Sequence, residues 1–197
     1  MKPLPSRFIG IANELPGAVA EQIQIPYGFF PHDQGLQKFD LAAARDLVAN
    51  FISGRSRDGD RFSGAPIYVG HPDVPSWAKA QPAGVVDKKA YGWIMNMEAR
   101  EDGLYLLPTW NEPGKQLVEQ KQYKFYSPVW NAQDGGKRNG QNILIPTRFV
   151  SLGLTNEPNI PVLPLANEGG NGELAARATA LRKFRAERRD ISHFYGL

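Results

Sequence analysis

The sequence predicts a mostly β, α+β domain with one principal helix and one or two smaller ones, followed by a helical tail. Three observations carry that reading. Glycine (20) and proline (16) are raised in a chain of 197 residues, which favours many short strands joined by turns. Short apolar segments recur between clusters of Gly, Pro, Asn and Asp. Only one stretch of the body repeats its apolar residues at helical spacing.

In chain order, residues 5–30 alternate apolar pieces with Gly and Pro (Phe8-Ile9-Gly10-Ile11, then Ile23-Gln24-Ile25-Pro26) and read as one or two strands. The loop Phe30-Pro31-His32-Asp33 leads to the principal helix. Asp40 suits its N-cap, and Leu41, Ala44, Leu47, Val48 and Phe51 form its apolar face. Residues 53–64 carry only polar and Gly signals and read as a loop.

Ala65 to Gly70 is a short apolar strand that delivers His71. Residues 83–87 and 91–98 form a further pair of apolar segments. Arg100-Glu101-Asp102-Gly103 is a hairpin turn of the Asp-Gly kind, with a return strand over 104–109. Asn111-Glu112-Pro113-Gly114 caps a short helix over 115–119. Residues 125–131 form a strand containing Ser127, Asp134-Gly135-Gly136 turns the chain, and 143–154 makes one or two more strands. The domain plan is a body over 1–166, a linker over 167–172 (NEGGNG) and a basic helical tail over 173–197.

Composition removes several function classes. With no cysteine, disulfides, thiolate metal sites and a cysteine nucleophile are excluded together. No apolar run reaches the roughly 20 residues that span a bilayer, and the first residues place Pro and charge where a signal peptide needs an apolar stretch. The expectation is a soluble cytoplasmic protein. No nucleotide-binding glycine motif occurs, so no cofactor is expected. Asp58, Asp60, Asp73, Glu101 and Asp102 sit in predicted loops without a metal-loop pattern, and three scattered histidines do not make a zinc site. The net charge is +3. Much of the excess lies in Arg177, Arg182, Lys183, Arg185, Arg188 and Arg189, a pattern that fits a solvated helix face better than a nucleic-acid contact.

His71 and Ser127 hold the candidate chemistry. A histidine at the end of an apolar strand, in Val69-Gly70-His71-Pro72-Asp73, can be held by the sheet while its ring faces a cleft. Ser127, in Phe125-Tyr126-Ser127-Pro128-Val129-Trp130, is a polar residue inside an aromatic strand. Taken singly, each is better read as ordinary: a surface histidine at a strand end, and a hydroxyl bonded to the neighbouring ladder. A serine becomes a nucleophile only when a base takes its proton, so each needs the other, and only tertiary structure can join them. There is no Gly-x-Ser-x-Gly elbow, which counts against an α/β-hydrolase.

Several segments in order resemble one family. They are Ile25-Pro26-Tyr27-Gly28, Pro66-Ile67-Tyr68-Val69-Gly70-His71-Pro72-Asp73, Gly92-Trp93-Ile94 with Asp102-Gly103-Leu104-Tyr105, Gly114-Lys115-Gln116-Leu117, Tyr126-Ser127-Pro128-Val129, and Leu154-Thr155-Asn156-Glu157-Pro158-Asn159. Together they resemble the Mu-like prophage I proteins, maturation proteases of phage heads, over about residues 25–165. That family is grouped with prohead proteases and, more distantly, with herpesvirus assemblins.

The resemblance implies a compact β-barrel with a few helices. It implies a serine endopeptidase that cleaves scaffolding protein, major capsid protein precursor and itself inside the immature head in the host cytoplasm. It makes His71 the base and Ser127 the nucleophile. The third member is open. Herpesvirus enzymes use a second histidine, which has no counterpart after Ser127 here. Related prohead proteases carry an acidic residue where this chain has Phe149, before Val150-Ser151-Leu152. The expectation is thus a Ser-His dyad or a triad, with Asn156 or Asp73 orienting His71 and backbone amides near residues 154–157 supplying the oxyanion hole. I proteins usually carry a long C-terminal scaffolding region, so either scaffolding is a separate protein here or the chain is a processed form; self-association is a further expectation. The competing readings are a non-enzymatic head component with the same fold and, third, a nucleic-acid accessory protein using the basic tail.

Overall fold

The computed structural model describes residues 21–32, 34–59, 63–82, 84–158, 160, 162 and 165. The expected strand around Phe8-Ile9, the linker and the helical tail lie outside them.

Eight strands and three helices follow in the order β1 (Ile23–Pro26), β2 (Gly28–His32), β3 (Gly35–Phe39), α1 (Leu41–Asp58), β4 (Ala65–Val69), α2 (Pro75–Ala80), β5 (Gly92–Arg100), β6 (Gly103–Trp110), α3 (Glu112–Glu119), β7 (Phe125–Arg138) and β8 (Gln141–Thr155). All strands belong to one sheet with the path β1-β6-β5-β4-β8-β3-β2, and β7 lies on the other edge of β8. β1 and β2 stand at opposite ends of that path, yet Tyr27 alone separates them in the chain. The sheet therefore curls into a half-barrel whose ends meet at Tyr27. No ladder closes that seam among the described residues, so the expected compact barrel is a curled sheet instead. The Tyr27 hydroxyl pins the seam by donating to the Arg100 carbonyl at 2.7 Å. Across the curl, the buried Tyr126 hydroxyl on β7 donates to the Gln24 carbonyl on β1.

α1 fills the hollow. Its N-cap is Asp40, whose carboxylate accepts from the Ala43 amide at 3.0 Å. Ala43, Ala44, Leu47 and Phe51 face inward, and the two alanines let the helix lie close to β8 and β5. The core beneath it includes Ile67, Ile94, Leu104, Leu106, Leu152 and Leu154, each fully buried. Removing such a side chain from water is worth about 1.5–3 kcal/mol.

Local readings gave way at several places. α1 runs to Asp58, through Ser53-Gly54-Arg55, where a loop was expected; Arg55 and Arg57 in its last turn oppose the helix dipole. His32 ends a strand, β2, in a hairpin with β3, instead of lying in a loop. Residues 84–87 form no strand, and the six-residue helix α2 was not anticipated. α3 begins at Glu112, directly after its cap Asn111, whose side chain accepts from Gly114 N at 2.9 Å. Asp134-Gly135-Gly136 is a bulge within β7. The chain reverses at Asn139-Gly140, both at positive φ (49° and 80°), the conformation that matches the twist of a hairpin.

Candidate active site

The site forms where three strands lie side by side. β8 pairs parallel with β4 (Ile67↔Leu152, Tyr68↔Gly153, Val69↔Leu154) and antiparallel with β7 (Tyr126↔Leu154, Ser127↔Gly153, Val129↔Ser151). Side chains alternate across a sheet. Ile67, Leu152, Leu154 and Tyr126 therefore face the core, while Tyr68, Gly153 and Ser127 form one row on the opposite face, with Ser151 and Val129 in the next.

His71 reaches that row through two devices. Gly70 adds one more ladder step, its amide donating to the Leu154 carbonyl at 3.0 Å, and then takes a left-handed φ of 64° that turns the chain off the sheet. The segment His71-Pro72-Asp73-Val74 closes as a β-turn, with Val74 N donating to the His71 carbonyl at 2.9 Å and Pro72 at the position that suits its fixed φ. The ring is thereby laid over Gly153. A Cβ at position 153 would lie 2.5 Å from His71 Cε1 and 2.7 Å from Nδ1. Position 153 is glycine because the imidazole occupies that volume.

Ser127 lies directly across the ladder from this glycine. Facing residues in an antiparallel pair hold their Cβ atoms about 4.5–5.5 Å apart. Ser127 and the imidazole edge therefore border the same small volume. Ser127 is buried, at 8% exposure. Trp77 of α2 stands edge-on to the His71 ring at 6.3 Å between centroids and 84°, and it covers Gly70 so closely that a Cβ there would strike the indole.

Burial pushes the His71 imidazole below its ordinary value of 6.5, and the charge of Asp73 acts in the opposite, upward direction. The ring is thus neutral at neutral pH, the state that accepts a proton. Its Nδ1 is buried without a hydrogen-bond partner.

The expected orienting residues take other positions. Asp73 is exposed and influences His71 through its charge, with no hydrogen bond between them. Asn156 spends both polar atoms on the chain entering β7, accepting from Lys124 N at 3.0 Å and donating to the Gln122 carbonyl at 2.9 Å. It fixes the strand that carries Ser127, not the ring. In the expected oxyanion segment, the Glu157 amide already donates to Thr155 Oγ1 at 3.0 Å, and Leu154 and Thr155 belong to β8. His32 lies at the β2–β3 turn and takes no part.

Sequence reading overlooked Gly153, Ser151, Trp77 and Tyr68. Gly153 alone carried a signal, since glycine inside an apolar strand marks a close approach by another group. Among the described residues there is no cluster of His, Asp and Glu able to hold a metal, and no helix long and apolar enough to cross a membrane.

The family model described as Mu-like prophage I protein, N-terminal domain, matches residues 23–166. That span covers all eight strands and the whole candidate site. No curated relative and no solved structure matches the chain.

Proposed function

Because the chain belongs to the Mu-like prophage I proteins, through their N-terminal domain, we propose that it acts in phage head assembly as a maturation protease, a serine endopeptidase. The observation that carries this reading is the His71 ring seated on Gly153, directly across the ladder from Ser127. His71 takes the Ser127 proton as the oxygen attacks a peptide carbonyl. The new C–O bond makes a tetrahedral oxyanion, the C–N bond breaks, and His71 hands its proton to the leaving amine. Water, deprotonated by the same imidazole, then cleaves the acyl-enzyme and restores Ser127. The depressed pKa of His71 suits this role, since the ring is free of a proton before attack.

The substrates are scaffolding protein, capsid-protein precursor and the chain itself, met inside the immature head in the host cytoplasm. The curled sheet with helices is compatible with kinship to prohead proteases and assemblins.

One observation favours a second reading, a head component that uses the same fold without catalysis. Ser127 is nearly covered, as a structural hydroxyl would be. Co-expression with the cognate scaffold and major capsid protein separates the two. Trimming by wild type that is lost in folded Ser127→Ala and His71→Ala supports the protease. Equal cleavage in all three removes this pair from the chemistry. Absence of cleavage with normal entry into heads favours the structural reading.

A further inference from the structure

Among the described residues, two buried side-chain polar atoms have no hydrogen-bond partner: His71 Nδ1 and Ser151 Oγ. They come from different parts of the chain, yet both flank Gly153. The imidazole rests on that glycine, with Nδ1 2.7 Å from where its Cβ would be. Ser151 is the preceding residue on the same face of β8, paired with Val129 one row from Ser127, and its exposure is 0%. Same-face neighbours along a strand are about 6.6 Å apart, two residues at the usual rise. Ser151 and the imidazole thus share one face of β8 on either side of a two-residue step, and the pairing asks a rotamer change or one bridging water to join them.

A buried hydroxyl without a partner is a standing cost, and alanine would fill the same space without it. The other candidates for orienting the ring are engaged elsewhere: Asn156 grips the backbone of 122 and 124, and Asp73 is exposed.

We infer that Ser151 is a positioning residue for His71. Its hydroxyl accepts the Nδ1–H bond, directly or through one water, and so keeps the Nε2 lone pair available to Ser127. The inference rests on the protease reading for its purpose, though not for its test. A neutral acceptor stabilises the imidazolium less than a carboxylate does, so the effect on rate is modest.

The test uses the full chain, labelled with ¹⁵N, and follows the His71 ring nitrogens by NMR, with His71→Gln to assign them. In Ser151→Ala the fraction of the Nδ1–H tautomer falls. In Ser151→Cys, a second folded variant with a weak acceptor, it falls less. Cleavage of the co-expressed scaffold slows about three- to tenfold in kcat, the worth of one neutral hydrogen bond, with KM changed less than twofold. An unchanged tautomer ratio in both variants overturns the inference, whatever the activity. If Ser127→Ala and His71→Ala abolish cleavage while Ser151→Ala cleaves at the wild-type rate, the inference fails and the protease reading stands. If wild type itself does not cleave, the protease reading fails, and the tautomer ratio still decides whether Ser151 orients the ring.

Discussion

His71 and Gly153 share one volume: the imidazole lies where a side chain at position 153 would project, 2.5 Å from its Cβ at Cε1. Everything proposed about the site depends on that contact, because Ser127 is the residue across the ladder from Gly153.

Gly153→Ala is the sharpest test of the arrangement. The added methyl also meets the Gly70 carbonyl oxygen at 2.5 Å, and backbone yields less readily than a side-chain tip. Overpacking of this kind costs about 1–3 kcal/mol. The expected variant is folded with a lowered Tm, and its scaffold cleavage falls far more than its folded fraction. Wild-type cleavage would show that the ring need not sit there.

The pH dependence follows from the depressed pKa of His71, caused by burial. The unfolded chain binds a proton at the ordinary value, 6.5, and the folded protein only at lower pH. The contribution to stability is thus complete above 6.5 and is lost as pH falls from there through the folded value. Urea melts of wild type and His71→Gln between pH 7.5 and 5 should show a steeper loss in wild type. The acid limb of kcat/KM for cleavage should lie below 6.5 for the same reason.

Trp77 shields His71 with an edge-on contact at 6.3 Å. Trp77→Ala admits water to the ring and moves its pKa up toward 6.5, as read by NMR titration of the imidazole protons. A titration identical to wild type would mean that the sheet and the turn, not α2, provide the burial.

Tyr126→Phe removes the hydroxyl that bridges β7 to the Gln24 carbonyl on β1. The carbonyl is left without that donor inside the curl, at an expected cost of about 1–2 kcal/mol in denaturant melts. The same experiment on Asp40→Ala should cost about 0.5–2 kcal/mol through loss of the α1 N-cap.

Elements held by neighbouring residues were legible in the sequence. α1 announced itself through Asp40 and the spacing of Leu41, Ala44, Leu47 and Phe51, and the β5–β6 reversal through Asp102-Gly103. Elsewhere the long-range ladder overrode a local signal. Asp134-Gly135-Gly136 reads as the turn, but the pairing of β7 with β8 beyond residue 134 makes it a bulge and puts the reversal at Asn139-Gly140. α2 escaped notice because six residues are too few for a helical period, and its placement rests on Trp77 packing against Gly70 and His71.

The order of motifs along the chain by itself determined the family and singled out His71 and Ser127, because these residue types in these strand contexts are properties of short segments. Only the tertiary structure decided that the imidazole lies on Gly153, that Ser127 stands across the ladder from that glycine, and that Asn156 serves the backbone. The physical reason is that strand pairing sets which distant residues face each other, and a shift of one residue in register would turn Ser127 to the other side of the sheet.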